Sequence, residues 1–284
     1  MINRQRIEML EAWAKHDVEI LRSFKNTVER FGGDFEMSRV LDVGCGSNAP
    51  ISLMLHSGGT KVTGIDQHIG YRWGLGFKLD RYFRYIKEAG LFKTLRKVAG
   101  EIVYDRHYYR IMQNECGYPL TEDALDLRTQ KIEELPFADS CFEIVHSNAT
   151  WEHIADVNLA NREITRVLVP GGIAYIEIHL FPSLSGGHDL EWIVPGKEDL
   201  DVPYPWRHLR DSSWEEPVYL NRLRERNYRE SFEEISNLEV LSWQTEYTEG
   251  EQLLTNELLR ELSDYTRDDL TKRSIIVIVR KTSE

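Results

Sequence analysis

Cysteine is scarce in this chain. Its three copies, Cys45, Cys116 and Cys141, are odd in number and widely spaced, so neither a disulfide framework nor a cysteine-based metal motif is expected. A reducing, cytoplasmic setting is the simple expectation. Positive charge is in deficit: 35 Lys and Arg stand against 47 Asp and Glu, a formal charge of −12, which argues against a general nucleic-acid binder. No apolar run approaches the roughly 20 residues of a membrane-spanning helix, and the opening MINRQRIEML does not read as a signal peptide. Internal repeats and low-complexity tracts are missing as well. The expectation is one large domain with insertions, with 284 residues ample for a sizeable core.

What is present is organised around VLDVGCGSNAP, residues 40–50. Val40, Leu41 and Val43 read as a buried strand. Gly44 and Gly46 permit a tight turn and close approach of a ligand to the backbone. Ser47 or Asn48 suits a helix cap, and Pro50 suits the first helical turn. Strand, glycine turn and helix start make a nucleotide-type binding element at the carboxyl end of a parallel strand. Gly44-x-Gly46-x-x-Ala49 also meets the loose dinucleotide fingerprint. Asp42 separates the two readings: a carboxylate just before the loop repels a pyrophosphate and favours a cationic ligand carrying an ammonium and a sulfonium.

On these residues the chain resembles the class I S-adenosylmethionine-dependent methyltransferases, whose first motif is an acid-x-Gly-x-Gly turn. Asn48 replaces the usual third glycine. Further matches follow in order. Lys61 to Asp66 reads as the second strand, and Asp66 lies where an acid accepts both ribose hydroxyls. Leu135-Pro136-Phe137 and the strand Phe142 to Val145 are similar to the family's loop and fourth strand. Trp151-Glu152-His153-Ile154 resembles its Glu-His segment, and Pro170-Gly171-Gly172 its turn into the fifth strand, 173–180. Together these span roughly residues 40–180. The resemblance implies an α/β fold: a Rossmann-like, seven-stranded, mostly parallel sheet with helices on both faces. It also implies S-adenosylmethionine as cofactor, held by Asp42, Gly44, Cys45, Gly46, Asp66, Gln67 and Asn148. Where the family often has an acid for the adenine amino group, this chain has Gln130, Lys131 and Ile132.

The parts outside the shared scaffold are expected to set specificity. Residues 3–31 carry Ile7, Leu10, Trp13, Ala14, Val18, Leu21, Phe24 and Val28 at three- and four-residue steps, which predicts a helix packed on the sheet; the resemblance adds the option that it covers the cofactor. The domain therefore reads as residues 1–284, with an N-terminal helical cap (1–34), a helical insertion (69–120) and an acceptor-side loop (181–217). Between Tyr71 and Arg110 the insertion is basic and aromatic, which suits either lid helices or an anionic partner such as a peripheral membrane or lipid-linked substrate. Strand 124–129, helix 218–236, strand 238–247, helix 251–264 and a last strand over 274–279 complete the expectation.

Transfer to a hydroxyl requires a base, and histidine suits neutral pH. His153, His179, His188 and His208 fall at strand ends or in the loop beyond; His153 leads and His188 follows. His188, Asp189, Glu191 and His208 match no metal-ligand spacing, so no metal site is expected. The expected acceptor is a small molecule or glycan, first a sugar hydroxyl and second an aromatic or polyketide-like metabolite, methylated on O or N. A non-catalytic cofactor-binding protein and, more remotely, an NAD-dependent oxidoreductase stay open.

Overall fold

The computed structural model describes residues 4–69, 106–188 and 204–283. Seven strands form one sheet: β1 (Arg39–Val43), β2 (Lys61–Asp66), β3 (Asp126–Thr129), β4 (Phe142–Asn148), β5 (Leu168–His179), β6 (Leu238–Thr248) and β7 (Lys272–Lys281). Their order is β3-β2-β1-β4-β5-β7-β6. The strands from β3 to β5 pair in parallel, and β7 runs antiparallel between β5 and β6. Strands covered on both faces read as continuous apolar runs, and β7 buries Ile275 to Val279 without a break. Chain order reverses between β1 and β4, which opens a crevice at their carboxyl ends.

Helices cover both faces. On one, α1 (Arg4–Arg30) lays Ala14, Val18, Leu21, Phe24 and Val28 against Val40, Ile144, Tyr175 and Ile278, with α2 (Pro50–Ser57) and helical residues 106–116 beside it. On the other, α4 (Val157–Val167) and α5 (Glu225–Glu233) pack Ile164, Val167, Tyr228 and Phe232 over Val145 and Val277; α3 denotes residues 106–116. The start of α4 is fixed by Asp156, whose carboxylate accepts from the Leu159 amide at 2.9 Å.

Three expectations need correction. Helix is present over Glu225–Glu233, not over 218–236. Residues 218–223 are instead pinned to the turn after β4. Asn221 donates through Nδ2 to the Trp151 and Ile154 carbonyls (2.7 and 3.0 Å), and Arg222 takes a φ of +59°, which no α-helix accommodates. Residues 251–264 are likewise divided. A 3-10 turn (Glu251–Leu253) precedes a helix over Asn256–Glu261, which begins at Thr255 because that side chain caps Leu258. Pro170-Gly171-Gly172 lies inside β5 rather than before it, where the pairing slips from Phe142–Leu168 to Ile144–Ile173. Residues 70–105, the larger part of the predicted insertion and its basic aromatic patch, lie outside the described residues.

The joint between α1 and α3 carries a titratable group. Tyr108 Oη donates to Asp17. Burial pushes the Asp17 carboxyl up to about 6, against the lowering effect of that hydrogen bond. A carboxyl raised in the folded state favours the protonated protein, so its contribution is full below the unfolded value near 4 and is lost as pH rises to about 6. Going from pH 4 to pH 7, denaturant unfolding should show Asp17→Asn gaining on the parent by on the order of 2 kcal/mol. An unchanged difference between the two proteins would contradict the assignment.

Candidate cofactor cleft and acceptor cavity

A cleft of about 640 Å³ opens at the carboxyl ends of β1, β2 and β4. Its floor is the glycine turn. The Gly44 and Cys45 amides both donate to the Ile65 carbonyl, at 2.8 and 3.0 Å, which ties the turn to β2. Gly44 has φ +67°, and a Cβ there would lie 2.0 Å from Thr150 Oγ1. Gly46 (φ +72°) has the opposite surroundings: a Cβ would meet nothing within 4 Å, so its backbone faces the open cleft. Ala49 caps α2 in a left-handed conformation, with Pro50 beginning the helix as expected.

Asp66 ends β2 beside this turn. One carboxylate oxygen accepts from the Gly46 amide at 3.0 Å and the other from the His68 amide at 2.7 Å. The same acid therefore shapes the glycine turn and borders the cleft.

Of the sequence-predicted residues, Gly44, Gly46, Asp66, Gln67, Gln130, Lys131, Ile132, His153 and His188 all line this cleft. Asn148 lines a second, smaller cavity instead. Asp42 and Cys45 line neither, and the charge argument from Asp42 requires correction. Side chains alternate along β1, so Asp42 points with Val40 toward α1 and α2. There, only 1% exposed, it accepts from Ser52 Oγ at 2.6 Å and bonds His146 Nδ1 at 2.7 Å. Its charge is used inside the core. Cys45 is buried with its Sγ close to Gly64, and burial raises its thiol.

Gln130 also departs from its expected part. Its Nε2 donates to the Lys131 and Glu134 carbonyls, so the amide is folded onto its own loop. Glu133, which the sequence reading passed over, lines the cleft with a buried Oε2 that has no hydrogen-bond partner. An acceptor in that place is what an exocyclic amino group requires. The available signal was the Glu133-Glu134 pair ahead of Leu135-Pro136-Phe137.

The smaller cavity, about 190 Å³, lies between α1 and the ends of β4 and β5. Trp13, Asp17, Ile20, Glu177, His179, Tyr247 and Arg273 are among its walls. Ala149 and His188 line both cavities. Both hold positive φ, +46° and +55°, a conformation that costs a non-glycine residue energy and is concentrated at functional sites. The turn before His188 has its glycines for steric reasons: a Cβ on Gly186 would lie 2.1 Å from the Phe181 carbonyl oxygen, and one on Gly187 would strike the His208 ring.

The histidines divide by environment. His153 packs edge-on to His188, with ring centroids 4.9 Å apart. Its Nδ1 is 2.8 Å from the Tyr219 carbonyl, which only accepts, so Nδ1 carries the proton and Nε2 presents a lone pair. A third of the His153 side chain is exposed. His188 is more buried, and desolvation lowers it to about 4, with His153 adding repulsion. His208 is a packing residue: its ring bonds the Phe181 carbonyl at 2.8 Å, against Phe181 and Trp214. Asp189 and Glu191 lie outside the described residues. Glu152, 1% exposed, stands between His153 and His188, with Oε1 4.0 Å from each Nε2. Desolvation raises its carboxyl to about 8.

Comparison with known proteins agrees with this geometry. Residues 93–176 match the family model described as a methyltransferase domain. An uncharacterised methyltransferase of Mycobacterium tuberculosis is 33% identical over 93 residues, 32% of this chain and 46% of that protein. The uncharacterised protein YafE of Escherichia coli is 52% identical over 40 residues, 14% of this chain and 19% of that protein. The chain thus spans less than half the length of the curated relatives it matches. A crystal structure of an S-adenosylmethionine-dependent methyltransferase from Methanosarcina mazei aligns at 16% identity with a TM-score of 0.48, covering 91% of this chain and 98% of that one. The sheet order is that of a Rossmann-like α/β fold, and the match over residues 93–176 is to a methyltransferase domain. S-adenosylmethionine is the cofactor such a domain uses, and the open side of Gly46, the Asp66 carboxylate and the unpaired Glu133 oxygen would suit its backbone, ribose and adenine contacts in turn.

Among the described residues no helix is long and apolar enough to cross a membrane.

Proposed function

We propose that this chain is an O-methyltransferase acting on a hydroxyl of a small polar acceptor, a sugar or glycan unit, bound in the smaller cavity. One observation carries the reading: the two cavities meet at His188 and Ala149, with His153 at the same junction on the side of the large cleft. S-adenosylmethionine supplies an electrophilic methyl on sulfur, transferred by in-line displacement. The protein has to hold the acceptor oxygen close and in line, and positioning of this kind lowers the barrier substantially. His153 is the base. Its Nδ1 proton is committed to the Tyr219 carbonyl, so Nε2 receives the hydroxyl proton as the new C–O bond forms. His188, lowered to about 4, holds a proton poorly near neutral pH and suits positioning. Trp13 and Tyr247 offer ring faces while Asp17, Glu177 and Arg273 offer hydrogen bonds, a mixture that fits a sugar better than an apolar ring.

The test has two parts. Calorimetric titration should show saturable binding of S-adenosylmethionine and S-adenosylhomocysteine and none of NAD. Incubation with cofactor labelled in its methyl group, against a panel of sugar phosphates, nucleotide sugars, glycosides and phenols, should then transfer label to a hydroxylated sugar. Transfer confined to the phenols would overturn the acceptor class. Cofactor binding without transfer to any compound would favour a non-catalytic binding protein.

A further inference from the structure

The junction contains a group that methyl transfer alone does not explain. Glu152 is almost fully buried, and neither of its carboxylate oxygens completes a hydrogen bond. The backbone amides of Glu152 itself and of His179 give it only partial support. His188 Nε2 is buried and equally without a partner. A carboxylate in such a place is costly unless it is paired or binds a metal. Of the cations that border the two cavities, Lys131 is exposed, and Arg273, which adds repulsion at His179 and His188, approaches Glu249 at 3.9 Å.

We infer that Glu152, His179 and His188 form a binding site for one divalent first-row transition cation at the junction of the two cavities. Their candidate ligand atoms all lie within 4.8 Å of one another. Tetrahedral ligands about 2.1 Å from a metal stand roughly 3.4 Å apart, so small side-chain rotations close the set. Two imidazoles and one carboxylate select zinc, iron or manganese over magnesium, which prefers oxygen ligands and retains its waters.

An independent feature supports this. His179 is oriented by a buried chain of hydrogen bonds. Ser185 Oγ donates to Glu249 Oε1 at 2.7 Å, and Glu249 is held in turn by the Ser185 amide at 2.7 Å. With its proton directed at Glu249, Ser185 Oγ accepts from His179 Nε2 at 2.9 Å. The other ring nitrogen, Nδ1, is then left with a lone pair. A carboxylate-hydroxyl-imidazole chain of this type is how proteins fix the tautomer and direction of a metal-binding histidine. The spacing of the three ligands conceals the site, because Glu152 comes from the turn after β4, His179 from the end of β5, and His188 from the loop beyond. Three protein ligands leave coordination positions open to an oxygen in the cavity that His179 and His188 line.

The inference goes beyond the methyl-transfer reading, and its test uses neither cofactor nor acceptor. The full chain, stripped with a chelator, is titrated with Zn²⁺, Mn²⁺ and Mg²⁺, and with Co²⁺ to read its visible absorption. One equivalent of Zn²⁺ per chain is expected, Mg²⁺ should not compete, and Co²⁺ should give a ligand-field spectrum. Glu152→Gln and His188→Ala should abolish the stoichiometric binding. Ser185→Ala, outside the ligand set, should weaken it about 10- to 100-fold while leaving the thermal transition in place. Binding of less than one equivalent, preference for Mg²⁺, or one equivalent retained at full affinity by Ser185→Ala and Glu152→Gln would each overturn the assignment.

Discussion

His153→Ala should bind S-adenosylmethionine within about threefold of the parent protein and lose turnover by about 100- to 10,000-fold, the usual contribution of a positioned general base. The separation of the two effects is the informative part. His153 reaches the cleft from the 3-10 turn over Trp151–His153, which is anchored from beneath: Trp151 Nε1 donates to Asn161 Oδ1 at 2.8 Å, and Asn161 Nδ2 to Ser231 Oγ at 2.9 Å. Truncating the imidazole leaves these anchors intact, so the cofactor walls formed by Gly44, Gly46 and Asp66 should not move. Single-turnover transfer from labelled cofactor measures the chemical step, and calorimetry measures binding. Full turnover in His153→Ala would exclude it as the base. A parallel collapse of cofactor affinity would mean that its ring serves mainly as a wall.

Asp66→Ala should weaken S-adenosylmethionine binding by about 100-fold. A carboxylate receiving two ribose hydroxyls makes charge-assisted hydrogen bonds, each worth about 1.5 kcal/mol or more, and the two together account for about two decades in Kd. The same substitution removes the acceptors for the Gly46 and His68 amides, so the glycine turn loses its brace. Asp66→Asn retains an acceptor oxygen for one of those amides and should fall between the two proteins. Equal affinity in Asp66→Ala and the parent would refute the ribose assignment. The His153 variant thus tests the chemistry and the Asp66 variant tests the cleft, each at nearly constant value of the other.

The fold was legible from residues 40–66 and 135–180 because there local pattern and global arrangement agree. The run from Val40 to Gly46 has the buried strand followed by backbone freedom that the topology requires, and Asp66 comes 20 residues after Gly46, the separation that a strand-helix-strand unit imposes. Legibility failed where tertiary contacts overrode local preference. Residues 218–223 have no helix-breaking proline, yet Asn221 is taken up by the Trp151 and Ile154 carbonyls. Asp42 looked like a cofactor ligand because a sequence gives the parity of a strand but not which face meets the ligand. Glu152 stands in the Trp151–Ile154 motif and His179 among the candidate histidines, but only the folded chain brings 152, 179 and 188 together.

The shared walls of the two cavities have an implication for how this scaffold changes its substrate. Ala149 and His188 form the wall common to both cavities, and both backbones are left-handed. A β-branched residue at 149 would add strain as well as bulk. Inheritable variation at this shared wall is therefore expensive, and on the proposed reading new acceptor preferences would arise instead through the outer walls, Trp13, Ile20 and Tyr247, which belong to the α1 helix and the edge strand β6. On the proposed reading, donor recognition and acceptor choice would in this way fall under separate mutational control: a strained shared wall that resists change, and a far wall that could exchange one guest for another without disturbing the donor.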